Sequence, residues 1–303
     1  ELMGYISDHK IRNTHSHHLP EQAALDFNLD KLINNTYLQW MQITPGSTAE
    51  SRSAYLEKVR YKSFFAWLQK SVQELYGISD PITAGNWDSI SDQISKAHQN
   101  PAFYMDVLKN KCKYQNIIVD TYWNPGSDNG RPELFTPSFR LDLFFLGYKK
   151  GLRNHDGVSL EERFGELPDN LPDYVEWVRT WIIRKKNAGC VALKIALAYE
   201  RDLHFEQVTQ EQAERVFRVK ESDITQEDIR YFQNYLFWKI CEIAAELSLP
   251  LQCHTGMGQI TNTNILQLND VIKNNPETKF VLLHCGFPWL DDLFPMVDGY
   301  QNV

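Results

Sequence analysis

The sequence predicts an α/β fold in which parallel strands alternate with helices around a barrel, and three observations carry that prediction. Short apolar runs alternate with stretches of helical periodicity, as βα units require. Several of those runs end on histidine: Lys10-Ile11-Arg12-Asn13-Thr14-His15-Ser16-His17, Leu249-Pro250-Leu251-Gln252-Cys253-His254 and Phe280-Val281-Leu282-Leu283-His284. The chain has 303 residues, 43% of them hydrophobic, which suffices for one α/β barrel of roughly 250 residues.

The first strand falls at about 10–15. Residues 21–110 read as a helical insertion within one domain spanning 1–303. In that insertion Tyr61 to Tyr76 carries apolar residues at helical spacing and is stopped by Gly77 and Pro81. Further helices are expected at Trp87 to Ala97 and at 101–112. The second strand is placed at Asn116 to Thr121 and the third at Ser138 to Leu143, with the turn residues of Asn124 to Gly130 between them. A helix over 172–187 puts Val175, Val178, Ile182 and Ile183 on one face, and Cys190 to Leu197 is the fourth strand. A long amphipathic helix over 226–247 precedes the fifth strand at 250–254. The sixth, at 279–284, is apolar without alternation, so cover on both faces is expected. Asp291 to Met296 reads as a short helix and Tyr300 to Val303 as the start of a seventh strand. Eight strands close such a barrel, so the sequence is expected to be C-terminally incomplete. The rival is an open doubly wound sheet of six or seven strands.

A net charge of -8 argues against nucleic acid, whose phosphates need a basic surface. The longest apolar runs fall short of a membrane span and no basic-then-apolar leader begins the chain. Cytoplasm is the expected location, no membrane partner is expected, and a homo-oligomer is left open. Five cysteines without a Cys-x-x-Cys pair read as reduced thiols, with Cys190, Cys253 and Cys285 in or beside buried strands.

Residues i and i+2 of a strand face the same way, so His15 and His17 can converge on one ion. In a parallel barrel all strand C-termini open on one face, which brings His254 and His284 to the same mouth. A single histidine after an apolar run is more often a hydrogen-bonded core residue; three such strand ends together favour a metal centre. Imidazole suits zinc and similar divalent ions. Lys194 interrupts an apolar strand, where an ammonium is expensive unless paired or used; a structural ion pair is the plain alternative. Arg140 and Asp142, at i and i+2, suit either a substrate carboxylate or a structural pair. Tyr199 and Arg201 follow the fourth strand, where substrate contacts gather in barrels. His18, His155 and His204 read as loop or surface residues.

His15-Ser16-His17, His254-Thr255-Gly256, His284-Cys285-Gly286 and Ala192-Leu193-Lys194-Ile195-Ala196 with Ala198-Tyr199-Glu200-Arg201 resemble the amidohydrolase superfamily, in its amidohydrolase-2 branch. That resemblance implies a distorted (β/α)8 TIM barrel with a divalent metal, zinc, at the strand C-termini. It implies His15, His17 and His254 as ligands and His284 as a ligand or proton carrier. Phe64-Phe65-Ala66-Trp67, Leu75-Tyr76-Gly77-Ile78 and Pro137-Ser138-Phe139-Arg140-Leu141-Asp142 are similar to uronate isomerases of the same superfamily, which implies Arg140 against a sugar acid. Two departures stand out: Asn13 replaces the family's usual Asp two residues before the first ligand, and the family's strand-eight Asp is not in this sequence.

Three functions follow as expectations. The first is a metal-dependent hydrolase of a small anionic substrate, with His284 and Lys194 as catalytic residues and Arg140, Tyr199 and Arg201 as substrate contacts. The second is a uronate isomerase-like enzyme, and the third a non-catalytic sugar-acid-binding barrel.

Overall fold

The computed structural model describes residues 4–5, 9–154, 157–258 and 262–303; His155 lies outside them. Six strands form one sheet in sequence order: β1 (Ile11–Ser16), β2 (Tyr114–Val119), β3 (Phe135–Arg140), β4 (Ala192–Ile195), β5 (Leu251–His254) and β6 (Phe280–Leu283). The paired strands from β2 to β6 run parallel. The sheet curls as an incomplete barrel, so the doubly wound rival, whose strand order would be permuted, is set aside.

The chain divides into two compact units, Glu1–Asn13 with Leu19–Asn116, and Thr14–His18 with Ile117–Val303. The first holds the helices α1 (Glu21–Ala24), α2 (Leu29–Asn34), α3 (Ala49–Val59), α4 (Ser63–Tyr76), α5 (Trp87–His98) and α6 (Phe103–Asp106). Their shared core includes Leu29, Tyr55, Phe65, Trp87 and Ile94. After α6 the expected helix over 101–112 continues as a π-turn, Val107–Lys111.

The second unit carries the larger core, with Phe139, Tyr174, Leu193, Phe237 and Leu251 all buried. Its helices are α7 (Leu160–Phe164), α8 (Leu171–Asn187), α9 (Gln210–Arg218), α10 (Gln226–Glu246), α11 (Asn269–Asn274) and α12 (Leu290–Gly299). The α8 helix starts where Asn170 accepts from Asp173 N and Pro172 occupies the first turn. It buries Leu171, Tyr174, Val178 and Ile182; Val175 and Ile183 are half-buried at the margin of that stripe. The α10 helix is capped by the reciprocal pair Thr225 and Asp228.

Several expectations need correction. The third strand ends at Arg140, and Asp142 opens a short 3₁₀ helix, Asp142–Leu146, instead of sharing the strand. The sixth strand is not covered on both faces, because Val281 is exposed. Cys190 and Cys253 are buried but Cys285 is exposed, since it lies in the turn after β6. Residues 300–303 form a turn, yet Asn302 O accepts from Phe280 N at 2.7 Å. Earlier strands register the same way on the residue before the next strand, as in Ile117 N to Leu134 O, Leu193 N to Pro250 O and Leu251 N to Lys279 O. Residues 300–303 therefore stand where a seventh strand would start.

Candidate active site

The C-terminal strand ends bring together the groups expected there. Along β3, β4 and β5 the register pairs Arg140 with Lys194 and Lys194 with Gln252. Strands lie about 4.8 Å apart, so these three side chains form one polar row across the sheet. All three are buried, Lys194 to 1% exposure.

Arg140 is braced. Its Nε donates to Asp142 Oδ2 at 2.6 Å, and Asp142 Oδ1 accepts from Ala196 N at 2.7 Å. Lys194 is not: its Nζ has no hydrogen-bond partner. Burial pushes the Lys194 ammonium down to about 8, partly offset by the charge of Asp120. Gln252 donates through Nε2 to Thr14 O at 3.0 Å and leaves Oε1 without a donor.

Above this row stand the histidines. Ring centroids lie 5.0 Å apart for His15 and His17, 6.0 Å for His15 and His284, and 4.4 Å for His254 and His284. The four rings thus form one chain around the mouth. Backbone carbonyls set two tautomers, because a carbonyl can only accept. Asp120 O holds His17 Nδ1–H at 2.8 Å, which leaves Nε2 with the lone pair. Met257 O holds His254 Nε2–H at 2.6 Å, which leaves Nδ1. Burial, and then the nearby Lys194 ammonium, hold His15 well below the usual imidazole range, His254 at about 2 and His284 at about 4. His17, whose side chain is 38% exposed, is also lowered by desolvation, with Asp120 opposing. Neutral imidazoles with fixed tautomers suit a cation as its ligands. As the side chains stand, no group of three or more His, Cys, Asp or Glu among the described residues is set to hold a metal ion.

Local backbone explains how His284 reaches the mouth. His284 and Cys285 both adopt left-handed conformations, φ 65° and 52°. That region is costly for residues with a side chain and persists where surroundings impose it. Thr255 supplies part of that constraint: its buried hydroxyl donates to Leu283 O at 2.6 Å and accepts from Gly286 N at 3.1 Å. Gly256 (φ 68°) is required beside it, because a Cβ there would lie 2.0 Å from Phe287 O.

Tyr199 joins the site, its ring 4.6 Å from His254. Arg201 does not join the histidines. Its guanidinium donates to Asp202 O, Gln233 Oε1, Asn234 Oδ1 and His204 O, and so pins the loop after β4 to α10. It borders a cavity of about 380 Å³ together with Tyr148, Glu200, Gln226, Arg230 and Gln233. None of the four mouth histidines lines that cavity, so the side-chain constellation and not the cavity defines the candidate site. His204 is exposed, as expected of a loop residue. His18 is half-buried, bonded to Ser16 Oγ and lowered by desolvation to about 4.

Asp120 was not among the sequence-predicted site residues. It ends the apolar run Ile117-Ile118-Val119, the same pattern that marks the histidines. It is fully buried, with Oδ2 3.6 Å from Arg140 Nη1 and 3.8 Å from His17 Nδ1.

A parallel, curled α/β sheet whose strand ends converge histidines is the architecture the amidohydrolase resemblance implied. The model of the amidohydrolase family matches residues 172–303, from α8 through β6 and beyond, so the resemblance holds over that stretch. No curated protein matches the chain by sequence. Among solved structures, a uronate isomerase from Thermotoga maritima is similar at TM-score 0.68 and 17% identity, over 93% of this chain and 72% of that one. A protein of Lactobacillus casei ATCC 334, provisionally described as a metal-dependent hydrolase, gives 0.63 and 18% over 97% and 77%. A glucuronate isomerase from Caulobacter crescentus gives 0.66 and 14% over 91% and 68%. Identities this low speak for the fold alone. No helix among the described residues is long and apolar enough to cross a membrane.

Proposed function

We propose that the protein is a metal-dependent hydrolase of the amidohydrolase-2 type, acting on a small anionic substrate. The observation that carries this reading is the ring of mouth histidines, three of them held far below the usual imidazole range. His15, His17 and His254 would hold a divalent cation, zinc. At such a donor set the cation supplies Lewis acidity toward water or a carbonyl. The chain's own groups do the rest. Lys194 offers an unpartnered ammonium at the floor of the site, and Arg140, fixed by Asp142, directs its guanidinium charge toward a substrate carboxylate. Tyr199 bounds the substrate beside His254. His284, held neutral at the mouth, carries the proton. The substrate is a small molecule, and the cytoplasm remains the proposed location.

A second reading is supported by the two uronate isomerases among the similar structures and by the placement of Arg140 at the site. Under it the same groups would bind a hexuronate for aldose–ketose interconversion. Incubation of the zinc-loaded protein with hexuronates separates the two. Ketose formation supports the isomerase; its absence, together with turnover of small carboxylate-bearing amides or esters that is lost in Lys194→Met, supports the hydrolase. Absence of both activities contradicts the enzyme reading.

A further inference from the structure

We infer that the Asp120 carboxylate is the charge-balancing anion of this mouth: it lies behind the His17 ring, which the Asp120 backbone carbonyl orients, and its negative charge biases the site toward a cation. The inference rests on the metal-dependent reading above.

Asp120 is fastened to the end of β1 and to the ring of His17. Its N–H donates to Ser16 O at 2.9 Å, and its carbonyl accepts His17 Nδ1–H at 2.8 Å. Its carboxylate is wholly buried, and neither oxygen accepts a hydrogen bond. A carboxylate offers about four lone-pair sites, and burying one undonated is unfavourable. The ready structural solution, a tight pair with Arg140, is not taken. Arg140 Nε serves Asp142 at 2.6 Å, whereas its Nη1 stays 3.6 Å from Asp120.

Charge explains what the arrangement gains. Lys194 and Arg140 bring two positive charges to the interior, and Asp142 opposes only one. Without Asp120 a divalent cation would meet net positive charge beneath the histidines. With it the interior is balanced, and the negative charge lies behind the His17 ring, 3.8 Å from Nδ1. The backbone carbonyl fixes the ring's orientation, and the carboxylate's field behind the imidazole raises the basicity of the far nitrogen. A carboxylate consumed by a tight ion pair would lose most of that field.

The test is a Co²⁺ titration of chelator-treated protein, followed by visible absorption and calorimetry, for the unmodified chain, Asp120→Asn and Asp120→Glu. Thermal midpoints without metal report on the fold. Asp120→Asn is expected to weaken Co²⁺ binding about 10- to 100-fold without lowering the metal-free midpoint, and Asp120→Glu to keep most of the affinity. An Asp120→Asn affinity within about threefold of the unmodified chain would overturn the inference. So would a loss that accompanies a lower metal-free midpoint, or an Asp120→Glu variant binding as poorly as Asp120→Asn. If the unmodified chain binds no Co²⁺, the functional reading itself falls and takes the inference with it. Equal binding by Asp120→Asn removes the inference alone.

Discussion

Arg140 on β3 and Lys194 on β4 are register partners, both buried and both cationic, and the fold treats them differently. Arg140 is locked by Asp142, which is itself locked by Ala196 N. Lys194 has no such partner and is left to the field of Asp120. The pair separates two uses of buried charge. A braced cation is part of the architecture and holds its charge in a set direction. An unbraced one destabilises the fold on its own.

The largest effect should come from breaking the braced side. Arg140→Met leaves Asp142 without its cation, and loss of one member of a buried pair costs about 3–5 kcal/mol; urea unfolding should register it. Lys194→Met should act in the opposite direction, stabilising the fold by about 1–3 kcal/mol at pH 7 and raising the thermal midpoint by several degrees, while abolishing turnover. The sign follows from the lysine's lowered value, about 8 against 10.5 in the open chain. Below pH 8 both states are protonated and the burial penalty is present in full; it fades as pH rises from 8 toward 10.5, so the variant's advantage should shrink over that window. If Lys194→Met destabilised the protein as much as Arg140→Met, the contrast between the two cations would be lost.

The histidines sharpen the comparison at lower pH. The folded chain holds His254 and His284 neutral down to about 2 and 4, whereas the unfolded chain protonates them near 6.5. The unfolded state therefore binds more protons between those values, and metal-free stability should fall as pH drops from 6.5 to 4. His254→Asn should flatten that slope in a midpoint-against-pH series; an unchanged slope would place the acid sensitivity elsewhere. Smallest is Thr255→Val. It removes a hydroxyl bonded to Leu283 O and Gly286 N, which should cost about 1–3 kcal/mol and loosen His284, visible as broadened His284 ring signals by NMR.

The strands and the mouth were legible because each rests on a strong local signal: an apolar run of strand length closed by a histidine. The errors have local causes as well. The third strand was read from Ser138, whereas it starts at Phe135. Pro137 inside it discourages a strand reading, yet Pro137 pairs with Val119 and lends its carbonyl to Val191 N. Asp142 was assigned to that strand because nothing in Leu141 announces the turn that ends it. The α9 helix went unread because it buries only Ala213, Glu214 and Val216, too narrow an apolar stripe; the box of Thr209 and Gln212 was the available signal. Asp120 was missed although its run matches the histidine-bearing ones, because an acid at a strand end reads as solvent-facing. Only tertiary placement shows it buried against Arg140 and His17. Arg201 was expected at the substrate for its position after β4, and two of the hydrogen bonds that engage it come from α10, some thirty residues on.

The claim beneath all of this is that His15, His17 and His254 share one divalent ion. Elemental analysis of the purified protein, with His15→Ala and His254→Ala alongside, tests it most directly. The account predicts close to one zinc per chain in the unmodified protein and a large loss in both variants. Metal content unaltered by either substitution would contradict it.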